Sequence, residues 1–146
     1  MLPAEGPARD ADAALAVLYD SQYLPLTRLA ALLAADEAIA EEIVRDAFVA
    51  MHGAWRHLGD SDRALRYLQG TVVRRSRSRQ APAPPGPGLV AALRSLPAPQ
   101  REALVLRYYA DMPQARIASV MGISSQAVSS HIARGMSALQ AILGPD

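Results

Sequence analysis

The segment "QAPAPPGPG", Gln80–Gly88, places four prolines and two glycines in nine residues. Proline has no backbone N–H and its ring clashes with the preceding turn, so this stretch can be neither helix nor central strand. It divides the chain into residues 1–79 and 89–146. An extended, semi-rigid spacer is expected here, reaching about 25–30 Å in polyproline geometry. A chain of 146 residues forms one compact domain or two small ones, and this break favours two.

Both parts read as helix. Ala and Leu dominate, and Val and Ile do not gather into alternating runs, so an all-α fold is expected. The first stretch, about Ala11–Ala34, carries Leu15, Leu18, Tyr19, Leu26, Leu29 and Leu33 at helical spacing, with a kink expected at Pro25. Asp36 is a suitable N-cap for the second, whose Ile39, Ile43, Ala47, Phe48, Met51 and Trp55 form one apolar stripe. A third runs from about Asp62 to Arg79, burying Ala64, Leu68 and Val72. Beyond the spacer, short helices are expected at Leu89–Ser95 and from Pro99 to about Ala110.

The pair that follows has the punctuation of a helix-turn-helix. Ala118 is small enough for two helices to cross closely, and Gly122 supplies the positive φ of a turn. Val128 anchors the second helix, Ser124 is suited to cap it, and Ile117, Met121, Ile123 and Ile132 fill the space between.

Composition narrows the function. The formal charge is +1, so no overall field favours nucleic acid, and all 15 basic residues are Arg. The absence of Cys excludes disulfides, thiol catalysis and cysteine zinc sites. His52, His57 and His131 lack metal-site spacing, and no Gly-rich loop lies between a strand and a helix. No nucleophile sits beside a base, so neither an enzyme nor a cofactor is expected. The N-terminus has no signal-peptide pattern, and no run of about 18 apolar residues is present to span a bilayer. A soluble, cytoplasmic protein without membrane insertion is expected.

"LPAPQREALVLRYYADMPQARIASVMGISSQAVSSHIARGMSAL" resembles the C-terminal DNA-binding domain of extracytoplasmic-function sigma factors of bacterial RNA polymerase. "AEEIVRDAFVAMHGAW" and "RALRYLQGTVVRRSRSR" resemble their N-terminal domain, in the right order. The resemblance implies sigma domain 2 over residues 1–79, a linker over 80–88 and sigma domain 4 over 89–146. It implies an initiation factor whose partners are core RNA polymerase, promoter DNA and an anti-sigma protein.

On that resemblance, Glu41, Glu42, Arg45 and Asp46 form the polymerase-docking face, with Arg45 standing where Gln is usual. Around the turn "RHLGDSD", His57, Asp60 and Ser61 correspond to the loop that captures an extruded base of the −10 element. Arg63, Arg66, Arg74, Arg75, Arg77 and Arg79 make the third helix strongly basic, and all but Arg79 are assigned to −10 DNA. The guanidinium fork suits phosphate, although Asn is usual at the position of Arg74. For the −35 element the candidates are Ser124, Ser125, Gln126, Ser129, Ser130, His131 and Arg134, with Arg116 as helper. Gln can bond adenine bidentately and Ser several base edges, but Lys is usual where Ser129 stands and Arg is common in place of His131. A weak grip is therefore expected. Two other readings remain: a stand-alone helix-turn-helix regulator, and a degenerate sigma-like protein acting through protein contacts.

Overall fold

A computed structural model describes residues 6–82 and 86–144, with side chains from residue 12 onward. Ala83–Pro85, within the expected spacer, lie outside the described residues. The described residues form seven helices and no strand: α1 Gly6–Ala34, α2 Glu37–Leu58, α3 Ser61–Ser78, α4 Leu89–Arg94, α5 Ala98–Leu104, α6 Gln114–Met121 and α7 Ser125–Leu143. The fold is all-α, as the sequence pattern requires.

α1 is longer than periodicity suggests and continues through Pro25 as a single helix. It ends at Ala35, whose φ of 64° is left-handed without being glycine, a conformation that costs an L-residue roughly 1–2 kcal/mol. Asp36 caps α2 by accepting a 2.8 Å hydrogen bond from the Ile39 amide. Gly59, with φ 81°, closes α2, and Asp60 caps α3 through a 2.8 Å bond from the Arg63 amide. Only Gly59 and Asp60 separate the two helices, and α2 and α3 pack on each other and against α1.

Leu18, Leu26, Leu29 and Leu33 of α1 meet Ile43, Phe48 and Met51 of α2 and Leu68 and Val72 of α3. Tyr19 packs its ring 5.1 Å from Phe48 while keeping its edge in solvent. Trp55 is half-buried against this core, in keeping with its place on the apolar stripe.

In the second half, α5 packs across α7 and α6 crosses α7. After Leu104 the helix widens: Val105–Tyr109 form a π-helical turn, with the Ala110 amide donating to the Val105 carbonyl at 3.1 Å. Asp111, at φ 54°, ends it. Close packing of α5 on α7 depends on Gly135, which faces Leu104 and Gln100.

The two halves touch. α3 contacts α6, and α1 contacts both α4 and the π turn. The buried apolar residues of both halves form one continuous interior. The start of the spacer is tied down: the Ala81 amide donates to the Ala34 carbonyl at 2.9 Å, and Arg94 donates to the Ala81 carbonyl at 2.5 Å.

Candidate nucleic-acid interface

α6 and α7 make the turn their residues call for. Gly122 has φ 71° and its amide donates to the Ala118 carbonyl at 2.8 Å, closing α6. Ser124 caps α7, its hydroxyl accepting from the Ala127 amide at 3.1 Å. Ile117, Ala118, Met121 and Val128 are buried between the helices. Gln114 fastens the corner from outside by donating to the Ser125 carbonyl at 2.7 Å.

This packing leaves the first turns of α7 facing water. Ser125, Gln126, Ser129 and Arg134 are exposed, while Ser130 and His131 are half-buried. His131 Nδ1 is buried and has no partner among the described residues. The face therefore offers hydroxyls, one amide and free helix N–H groups, with Arg134 as its cation. Hydroxyls and an amide are groups able to bond base edges, and a single cation adds little phosphate attraction.

Residues 88–139 match the family model described as Sigma-70, region 4. A solved structure described as "Structure of CnrH in complex with the cytosolic domain of CnrY" matches with TM-score 0.80 and 27% identity, over 95% of each chain. Both likenesses point to the sigma-70 family, the first over residues 88–139 and the second over nearly the whole chain. No curated protein matches the chain. Together the two likenesses support a sigma-factor-like transcription factor.

The remaining candidate residues fall into three groups. Glu41, Glu42, Arg45 and Asp46 are all exposed on α2. Two of them are not free of the basic helix: Arg79 donates to Glu42 at 2.8 Å, and Arg75 lies 3.8 Å from Asp46. All four partners are roughly half exposed, so these pairs are worth little and exchange readily. At the α2–α3 turn, His57, Asp60 and Ser61 are exposed side by side. One Asp60 oxygen is committed to its cap, and the other lies 3.7 Å from Arg63 Nε.

The arginines of α3 separate by position. Arg63, Arg66, Arg74 and Arg75 present to solvent, although Arg74 also donates to Thr71 at 3.2 Å. Arg77 departs from the expected outward role in this arrangement. Its fork donates two 2.7 Å bonds to Glu102 of α5, a carboxylate only 5% exposed. A carboxylate that far out of water needs a cation with matching geometry. Bonding to Glu102 raises the Arg77 pKa further, against the opposing effect of burial. Arg116 is also occupied, donating to Gln69 of α3 at 2.8 Å.

Sequence reasoning missed the residues that make these ties: Glu102, Gln69, Gln80, Arg94 and Arg101. Arg101 is buried, donates to the Leu96 carbonyl at 3.0 Å and to Gln80 at 3.2 Å, and has its pKa lowered by burial and by nearby Arg94. Gln80 also accepts from Arg94 and donates to the Ser76 carbonyl. An acid and an arginine adjacent on a short helix gave no local sign of burial.

Beside this polar seam lies an apolar cavity of about 770 Å³, lined by Leu32, Leu89, Val90, Leu93, Leu104 and Tyr108, with Arg28 and Glu37 at its edge. Among the described residues, no helix is long and apolar enough to cross a membrane, and no cluster of three His, Asp or Glu side chains could hold a metal ion.

Proposed function

We propose that this chain is a cytoplasmic transcription initiation factor that binds core RNA polymerase and directs it to particular promoters. The observation that carries the reading is the α6–α7 corner: a recognition helix with its N-terminal turns uncovered, inside the segment that matches Sigma-70 region 4. In this reading residues 1–79 contribute polymerase docking through Glu41, Glu42, Arg45 and Asp46. His57, Asp60 and Ser61 receive an extruded base of the −10 element, while Arg63, Arg66, Arg74, Arg75 and Arg77 hold the backbone. Residues 89–146 read the −35 element with Ser124, Ser125, Gln126, Ser129, Ser130, His131 and Arg134, aided by Arg116. All bond-making chemistry belongs to the polymerase.

An anti-sigma protein is the natural regulator, and the apolar cavity between α1, α4, α5 and α7 offers it a seat. The solved neighbour's complex with a second protein's cytosolic domain supports such a partner. The test is co-purification with core RNA polymerase followed by transcription from an open promoter library. A chain that neither associates with core enzyme nor starts transcripts sinks the proposal. Tight binding to a protein partner without initiation would instead favour the degenerate, interaction-only reading, to which the sparse cations of α7 lend support.

A further inference from the structure

We infer that Arg94 and Arg101 form a binding site for a phosphate-type oxyanion, whose place between the two guanidinium groups is held here by the side-chain carbonyl of Gln80. The site lies at the root of the spacer and requires neither DNA nor polymerase.

Arg94 ends α4 and Arg101 lies in α5, and both donate to one atom, Gln80 Oε1. Their other bonds go to backbone carbonyls, Arg94 to Ala81 at 2.5 Å and Arg101 to Leu96 at 3.0 Å. Among the described residues, every acceptor these two cations have found is therefore neutral. Arg101 is only 5% exposed, and a guanidinium keeps its proton even so. A charge that far from water is ordinarily paired with an opposite one. Glu102, next in the chain, is engaged elsewhere: both its oxygens accept from Arg77 at 2.7 Å. Arg77, Arg94 and Arg101 thus stand against a single carboxylate.

Two further observations point to a ligand. Nε of Arg94 and Nε of Arg101 are both buried and bond to nothing among the described residues. The buried hydroxyl of Ser76, the residue whose carbonyl accepts from Gln80, is equally unpartnered. Burial and the charge of Arg94 each depress the Arg101 pKa, so the two guanidiniums repel, and a neutral amide oxygen is all that bonds to both.

A phosphate group matches what this cluster lacks. It brings negative charge and several acceptor oxygens, and guanidinium forks hold it through paired N–H groups. Gln80 is an exposed residue, so its side chain can swing into solvent and an anion can enter by the same opening. Bound there, the anion joins the end of α4 to α5 and takes over the acceptor role of Gln80. The anchoring of the spacer then responds to phosphate.

The test is titration of the full chain with inorganic phosphate, by calorimetry and by thermal unfolding, at ionic strength held constant with sodium chloride. The parent should bind phosphate saturably at one site, its thermal midpoint rising as the site fills. Arg94→Ala should weaken binding by about tenfold or more, since charge-assisted bonds are lost. Arg56→Ala, which removes an exposed arginine of α2, should bind as the parent does. Gln80→Glu puts a carboxylate where the amide stands; it should raise the midpoint in phosphate-free buffer and abolish the response to phosphate. Adenosine 5′-monophosphate separates the two sources of the group: tighter binding than inorganic phosphate marks a nucleotide site, and equal or weaker binding marks a free-anion site.

Absence of saturable binding to the parent overturns the proposal. Equal binding to Arg94→Ala also overturns it, because the anion would then lie elsewhere on the basic surface. So does a Gln80→Glu chain that fails to gain stability or still responds to phosphate. Should Arg94→Ala lose helix content by circular dichroism, Gln80→Glu and the parent titration decide.

Discussion

Three glycines inside helices provide a graded test of how tightly this fold is packed. Gly53 in α2, Gly70 in α3 and Gly135 in α7 each gain roughly 0.8–1.0 kcal/mol of helix propensity on replacement by Ala. What the new methyl meets decides the net sign. At Gly53 nothing lies within 4 Å, so the full gain of about 1 kcal/mol should appear. At Gly70 the methyl meets only Arg74 Nη1 at 3.3 Å, the end of an exposed side chain that can swing aside. At Gly135 it would sit 2.8 Å from Leu104 Cδ1, 3.1 Å from Leu104 Cγ and 3.4 Å from Gln100 Cβ. Rotating the end of Leu104 moves its Cδ1 but not its Cγ, and Leu104 is only 3% exposed. Overpacking of this kind costs about 1–3 kcal/mol, so Gly135→Ala should be destabilised by about 1 kcal/mol net. Urea unfolding gives each value directly, with thermal midpoints moving about 3 °C per kcal/mol. Stabilisation of Gly135→Ala equal to that of Gly53→Ala would refute the close approach of α5 to α7.

Ala35→Gly should raise stability by up to about 1 kcal/mol, because the left-handed φ of 64° no longer strains a Cβ; a lower urea midpoint would contradict this. Ser124→Ala should cost about 1 kcal/mol through loss of the bond from the Ala127 amide, read in the same unfolding assay. For the full chain on random duplex DNA, a salt slope between 0 and about −5 is expected, since Arg63, Arg66, Arg74, Arg75 and Arg134 are the proposed DNA-contacting arginines exposed outside the seam. A steeper slope would mean that phosphate contacts exceed those this surface presents.

Local signals carried much of the fold. Asp36, Asp60 and Ser124 cap the helices that follow them because a short polar side chain before an apolar run has little else to bond. Ala118, Gly122 and Val128 announced the helical corner through their sizes and the one left-handed turn. The seam was illegible for the opposite reason. Glu102 follows Arg101 in a polar stretch typical of a solvated surface, and its burial depends on Arg77 arriving from another helix. The same holds for Gln69, which looks like any surface glutamine until Arg116 reaches it. Nor did "VLRYY" show the π turn, since its residues suit an ordinary helix equally well and only the fold buries Leu106 within it. The exposed candidates of α7 were legible as positions on a helix face, whereas the engagement of Arg77 and Arg116 was not.

That wide turn has a consequence for aim. A π turn accommodates one residue more than the regular helix around it, and here the surplus is held within Val105–Tyr109. Deleting Arg107, exposed within the turn, would let ordinary pitch return. Because widening already absorbs that residue, α6 and α7 would keep nearly their present bearing. Removing one residue from regular α5 instead would swing them by about 100° and draw them back by about 1.5 Å, the increments of a single helical residue. The wide turn thus spares the α6–α7 corner a full residue's rotation.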